Sequence, residues 1–139
     1  EYRIRVRLLG REHYWSDGGA PLSPFDLAIG WGPMSDQSVL DRLWFSQGHR
    51  FLMFTPPSSG WPIPFDELNS HSANMHIVPA SAAVRGAAEW TRIGRIVILR
   101  GYLIEAQGPD GSKWRSSLSR TDSGAGACEL MWVNGFERP

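Results

Sequence analysis

Ile93-Gly94-Arg95-Ile96-Val97-Ile98-Leu99-Arg100-Gly101-Tyr102-Leu103-Ile104-Glu105 is the most strand-like run in the chain, and its reading decides the fold class. In an extended chain Ile96, Ile98, Tyr102 and Ile104 share one face, while Val97, Leu99 and Leu103 share the other. Both faces are apolar, so this strand is expected to run through the core. Gly101 in its middle predicts a bulge or a sharp bend, as at a barrel corner. Gly108-Pro109-Asp110-Gly111 then predicts a tight turn: proline presets the first central residue, aspartate bonds locally, and glycine tolerates positive φ. Lys113 to Leu118 is expected to return antiparallel. A long bent strand followed by a hairpin favours a small twisted antiparallel barrel over a sandwich.

Working outward, Tyr2 to Leu9 alternates arginines with apolar residues and reads as a strand whose Arg3, Arg5 and Arg7 form the solvated face. Phe25 to Trp31 is a short apolar piece broken by Gly32-Pro33. Ser35 is the expected cap of a helix in which Val39, Leu40, Leu43 and Trp44 recur at helical spacing and which Gly48 closes. Arg50 to Thr55 and Asn74 to Val78 read as strands ended by prolines. Phe65 to Asn69 predicts one helical turn, Ser81 caps a short helix through Trp90, and Glu129 to Val133 is the last strand. The fold class is therefore mainly β (α+β), with two or three short helices, in one domain spanning residues 1–139.

Composition narrows the function classes. With 14 basic and 14 acidic side chains the formal charge is zero, which argues against nucleic-acid binding, since that needs a cationic field. No apolar run approaches the ~20 residues of a membrane-spanning helix. A single cysteine excludes an internal disulfide framework and a cysteine-cluster metal site. The chain starts at Glu1 without an initiator methionine, which fits a trimmed or processed chain and allows a removed N-terminal signal or anchor. There is no Gly-x-Ser-x-Gly elbow, no phosphate-binding glycine loop ending in lysine, and no His-Glu-x-x-His.

The polar run Ser116-Ser117-Leu118-Ser119-Arg120-Thr121-Asp122-Ser123-Gly124 leads through Gly126-Ala127 to the one cysteine, Cys128. Cys128 could serve as a nucleophile with His71 or His76 as base and Asp122 or Asn74 orienting the ring. That chemistry requires the side chains within ~3–4 Å of one another. The opposing expectation is a packing thiol, since free cysteine is among the most buried residue types. His71 and His76, five apart, fall on opposite faces of a strand, so joint metal ligation is not expected even with His13, His49 or Cys128 nearby. Asp122-Ser123-Gly124-Ala125 resembles the tetrapeptide of aspartic peptidases but occurs once and lacks the preceding apolar residues. The plainer expectation is a turn at Asp122, with Arg120 paired to a carboxylate such as Glu129.

Seven tryptophans form the other constellation. Trp44 and Trp132 fit a buried face. Trp15 and Trp61, in loops rich in glycine, proline and serine, are the better candidates for a binding surface, together with Ser119 and Arg120.

The segments His71-Ser72-Ala73-Asn74-Met75-His76, Ser117-Leu118-Ser119-Arg120-Thr121-Asp122 and Gly126-Ala127-Cys128-Glu129 resemble those of a family of uncharacterised bacterial proteins, as does Leu27 to Asp36. The resemblance implies a bacterial source and an envelope or exported (periplasmic) setting, and it carries no activity and no catalytic residues. Together these readings lead to an extracytoplasmic binding or assembly module without catalysis, taking a protein or a small polar ligand and no cofactor. The alternative is a cysteine-dependent hydrolase or acyl transferase built on Cys128 with His71 or His76.

Overall fold

The computed structural model describes residues 1–123 and 126–139. In chain order its strands are β1 (Tyr2–His13), β2 (Phe25–Gly30), β3 (Trp44–Gly48), β4 (Phe51–Thr55), β5 (Ser72–Pro79), β6 (Ile96–Leu103), β7 (Glu105–Gln107), β8 (Lys113–Arg115) and β9 (Glu129–Glu137). The helices are α1 (Gln37–Leu40), α2 (Phe65–Ser70) and α3 (Ala82–Trp90). Five strands close into a barrel in the order β1-β2-β5-β9-β6, while β3-β4 and β7-β8 form separate two-stranded ribbons. All barrel pairs are antiparallel except β5 with β9, which makes the barrel mixed. No helix is long and apolar enough to cross a membrane among the described residues.

The decisive run forms a barrel strand, but a shorter one than expected, and only one of its faces packs into the core: Ile93 lies outside β6 and is exposed, and Tyr102 is exposed on the outer face. Val97 and Leu99 point into the barrel with Val6, Leu8, Leu27, Met75, Met131 and Val133, and the strand is flanked on both sides by β1 and β9. The register breaks at Arg100/Gly101, where Asn134 of β9 is skipped. A Cβ on Gly101 would overlap the carbonyl oxygen of Trp132, so only glycine fits this close crossing. The segment bends out after Leu103 into the β7-β8 ribbon, and its return ends at Arg115, leaving Leu118 exposed.

A second bulge in β1 skips Leu9 between Leu8 and Gly10. It turns Leu8 into the barrel and Leu9 outward, where a second apolar cluster forms with Ala28, Met34, Leu40, Leu43 and Leu68. The ribbon β3-β4 lies over this cluster through Leu52 and Phe54.

Two expectations are corrected. The helix starting after Ser35 spans only Gln37–Leu40, its cap is Asp36 accepting from the Ser38 amide, and Trp44 to Gly48 is a strand. The apolar spacing there serves a helical turn (Val39, Leu40, Leu43) that stops and a ribbon that starts, so the two periods overlap. Trp44 is consequently 75% exposed, on the outer ribbon face with Met53 and Phe51. Trp132 is not buried either: strand alternation sends Met131 and Val133 inward and Trp132 out beside Tyr102. The remaining helices agree with expectation, and Ser81 Oγ accepts from the Val84 amide at the start of α3.

Candidate functional site

The outer face of the β2-β5 pair carries a polar row set by register. Asp26 lies opposite His76 and Ala28 opposite Asn74, so Asp26, His76 and Asn74 share the outer surface while Phe25, Leu27, Met75 and Ile77 fill the barrel. Asp26 is completely buried. Its carboxylate accepts from Arg50 Nη1 at 2.8 Å and Asn74 Nδ2 at 2.9 Å, and lies 2.9 Å from His76 Nδ1. A buried charge needs such partners, because desolvation without them costs several kcal/mol.

Arg50 reaches this carboxylate from the tip of the β3-β4 ribbon. The two-residue turn His49-Arg50 has φ of 50° and 68°, the conformation of a turn that follows strand twist but is usually built from asparagine and glycine. Arg50 holds the strained conformation through every part of the residue. Its amide donates to the Tyr14 hydroxyl at 2.8 Å, and its carbonyl accepts from Asn74 Nδ2 at 2.9 Å and from Cys128 Sγ at 3.7 Å. Its guanidinium forks onto Asp17 and lies 3.7 Å over the Tyr14 ring. Burial works against the Arg50 charge, but the carboxylates of Asp17 and Asp26 outweigh it and raise its pKa. Burial likewise pushes the Tyr14 phenol up to about 12. The hub thus clamps the ribbon to the barrel.

Beside the clamped ribbon opens a cleft of about 350 Å³. One wall is β4 from Phe51 to Phe54, and the floor is the start of β5 from Ser72 to Asn74. The opposite wall contains Ser119, Arg120, Asp122, Ser123 and Ala127 to Glu129, and Phe65 and Asn69 of α2 complete the rim. The polar run is held in shape by its own hydroxyls: Ser117 Oγ donates to Asp122, and the Ser119 amide donates to Ser117 Oγ. Ser116 and Ser117 are buried and bridge strands, with the Leu130 amide donating to Ser116 Oγ and the Ser117 amide to the Cys128 carbonyl.

Arg120 pairs with Glu129, as its sequence position suggests. Glu129 is only 2% exposed and lines the cleft, yet its Oε2 has no hydrogen-bond partner among the described residues. Such an orphaned acceptor is uncommon in a folded interior.

The structure therefore gathers Cys128, Asp122, Ser119 and Arg120 around one cleft and leaves the histidines off its lining. His71 Nδ1 lies 2.7 Å from the Glu67 carbonyl oxygen, and His76 belongs to the Asp26 hub. No hydrogen bond joins Cys128 to His71, His76 or Asp122 among the described residues. Burial, reinforced by the negative charge of Asp26, pushes the Cys128 thiol up to about 11, so it stays protonated at neutral pH. Gly124 and Ala125 of the peptidase-like tetrapeptide lie outside the described residues. Trp15 is 82% exposed and stacks on His13, away from the cleft lining, while Trp61 packs on the second apolar cluster and on Phe65. No group of three or more metal-ligating side chains occurs among the described residues.

Sequence reading passed over Asp26 and Arg50. The available signal was the lone carboxylate at an alternate position of the apolar run Phe25 to Ile29, matched by the period-two pair Asn74 and His76. Compared with known proteins, the chain matches no family model, no curated protein and no solved structure.

Proposed function

We propose that this chain is a single-domain binding and assembly module, working in a bacterial envelope or exported setting, and that the cleft between β4, β5 and the Ser119–Glu129 segment takes its partner without catalysing a reaction. The observation that carries the reading is Glu129, a buried carboxylate lining a concave surface with one oxygen left unmatched by the protein. A ligand that donates a hydrogen bond there would give this oxygen the partner it lacks among the described residues. The mixed lining supports the same reading. Apolar Phe51, Met53 and Phe65 stand beside the amides, hydroxyls and charges of Asn69, Asn74, Ser119 and Arg120, which is the usual make-up of a recognition site. The protonated thiol of Cys128, hydrogen-bonded to a backbone carbonyl, favours binding over nucleophilic chemistry.

The test is a series of ¹⁵N–¹H correlation spectra recorded with a panel of small amines, amides and short peptides. Saturable shifts clustered at Leu52, Asn74, Ser119 and Glu129 are the expected result. Shifts scattered over the surface, or none with any member of the panel, would reject the cleft as a site.

A further inference from the structure

We infer that the cleft's occupant is an extended polypeptide segment carrying a basic side chain, added as a new strand along the free edge of β4; this rests on the cleft being a binding site. The hairpin geometry sets which backbone groups are available. A two-residue turn makes Gly48 and Phe51 the hydrogen-bonded closing pair, and antiparallel pairs then alternate. Ser46/Met53 and Trp44/Thr55 are hydrogen-bonded pairs, while Leu52 and Phe54 turn their N–H and C=O groups away from β3. That side of β4 pairs with no strand among the described residues, and Phe51 to Phe54 of the same strand line the cleft.

An open edge of this kind is normally blunted by charge, proline or a bulge. The run Phe51-Leu52-Met53-Phe54-Thr55 carries none of these and is clamped in place by the Arg50 turn. An added strand would receive hydrogen bonds from the amides of Leu52 and Phe54 and return them to their carbonyls. Its alternate side chains would meet Phe51 and Met53.

Charge selects the side chain on the opposite wall. The charged lining residues are Arg120, Asp122 and Glu129, a net of one negative charge, and the unmatched Glu129 oxygen lacks a donor. A lysine or arginine on the incoming segment supplies both the donor and the compensating charge.

The experiment uses short acetylated, amidated peptides alternating valine and threonine around one variable position, occupied by lysine, arginine, glutamine or glutamate. Affinity is read by fluorescence anisotropy and the docking mode by amide hydrogen exchange. The expected result is that lysine and arginine peptides bind about tenfold or more tighter than the glutamate peptide. Their binding should slow exchange at Leu52 and Phe54, and N-methylating the peptide backbone should abolish it. Binding without that protection, or without charge preference, overturns the inference. Protection of Leu52 and Phe54 by self-association alone would make the occupant a second copy of this chain and overturn it too. If small amines or amides shift the cleft resonances while no peptide binds, the cleft remains a site and the strand inference fails; if nothing binds, both fail.

Discussion

Replacing Asp26 with alanine should be among the most damaging single changes in the molecule. The carboxylate is fully buried and engages Arg50, Asn74 and His76 at 2.8–2.9 Å. Removing one member of a buried hydrogen-bonded charge pair costs ~3–5 kcal/mol, because the partner is left desolvated and unmatched. Asp17 still holds two guanidinium nitrogens of Arg50, which keeps the loss towards the middle of that range, at ~4 kcal/mol. Against a total stability of ~5–15 kcal/mol this is a large fraction. With a urea slope of ~2 kcal/mol/M, the unfolding midpoint should fall by ~2 M at constant slope. Asp17→Ala is the control. It removes a carboxylate of 39% side-chain exposure from the same guanidinium and should cost no more than ~1 kcal/mol. If Asp26→Ala lowers the midpoint no further than Asp17→Ala, the ribbon is not clamped by this hub and the reasoning about β4 loses its foundation.

Other outcomes follow from the same structure. His49→Asn should raise stability by up to ~1 kcal/mol in urea unfolding, because asparagine tolerates the positive φ of this exposed turn position better than histidine. Cys128 should alkylate slowly at pH 8 and progressively faster towards pH 11, following its raised pKa; intact-mass kinetics showing an apparent value below that of a free thiol would contradict the environment described. The hydrogen bonds from Arg50 hold the Asp17 carboxyl below its ordinary value, so its contribution is present above the unfolded value of about 4 and is lost as pH falls through the lower folded one. Asp17→Asn should accordingly flatten the stability–pH slope on that acid limb. Gly101→Ala should cost about 3 kcal/mol through the clash with the Trp132 carbonyl, lowering Tm by roughly 10 °C in calorimetry.

The barrel was legible because its strands obey simple alternation. Ile96 to Leu103 declares both faces apolar, Tyr2 to Val6 interleaves arginines with core residues, and Gly101 marks the crossing that only glycine permits. What misled was the stretch from Val39 to Gly48, where one apolar spacing satisfies a helical turn and a ribbon at once. Tertiary contact with the second cluster settles where the helix stops. The parallel β5-β9 pair has no local signature, since it joins segments more than fifty residues apart. Half of the site was readable: the polar run, Cys128 and the Arg120–Glu129 pair all border the cleft. The Asp26 hub was not, because its members come from four separate segments, brought together by the register of β2 against β5 and by the docking of the β3-β4 turn on that face. Histidine is a chemistry-bearing residue type, yet His76 serves a buried carboxylate and His71 neighbours a helix carbonyl.

The most direct test of the account is calorimetric titration of the lysine-bearing valine–threonine peptide into the wild-type protein and into Glu129→Gln, which preserves shape while removing the charge. Saturable binding to the wild type and an affinity lower by about tenfold in the variant are expected. Equal affinity for both proteins, or no binding to the wild type, would contradict this.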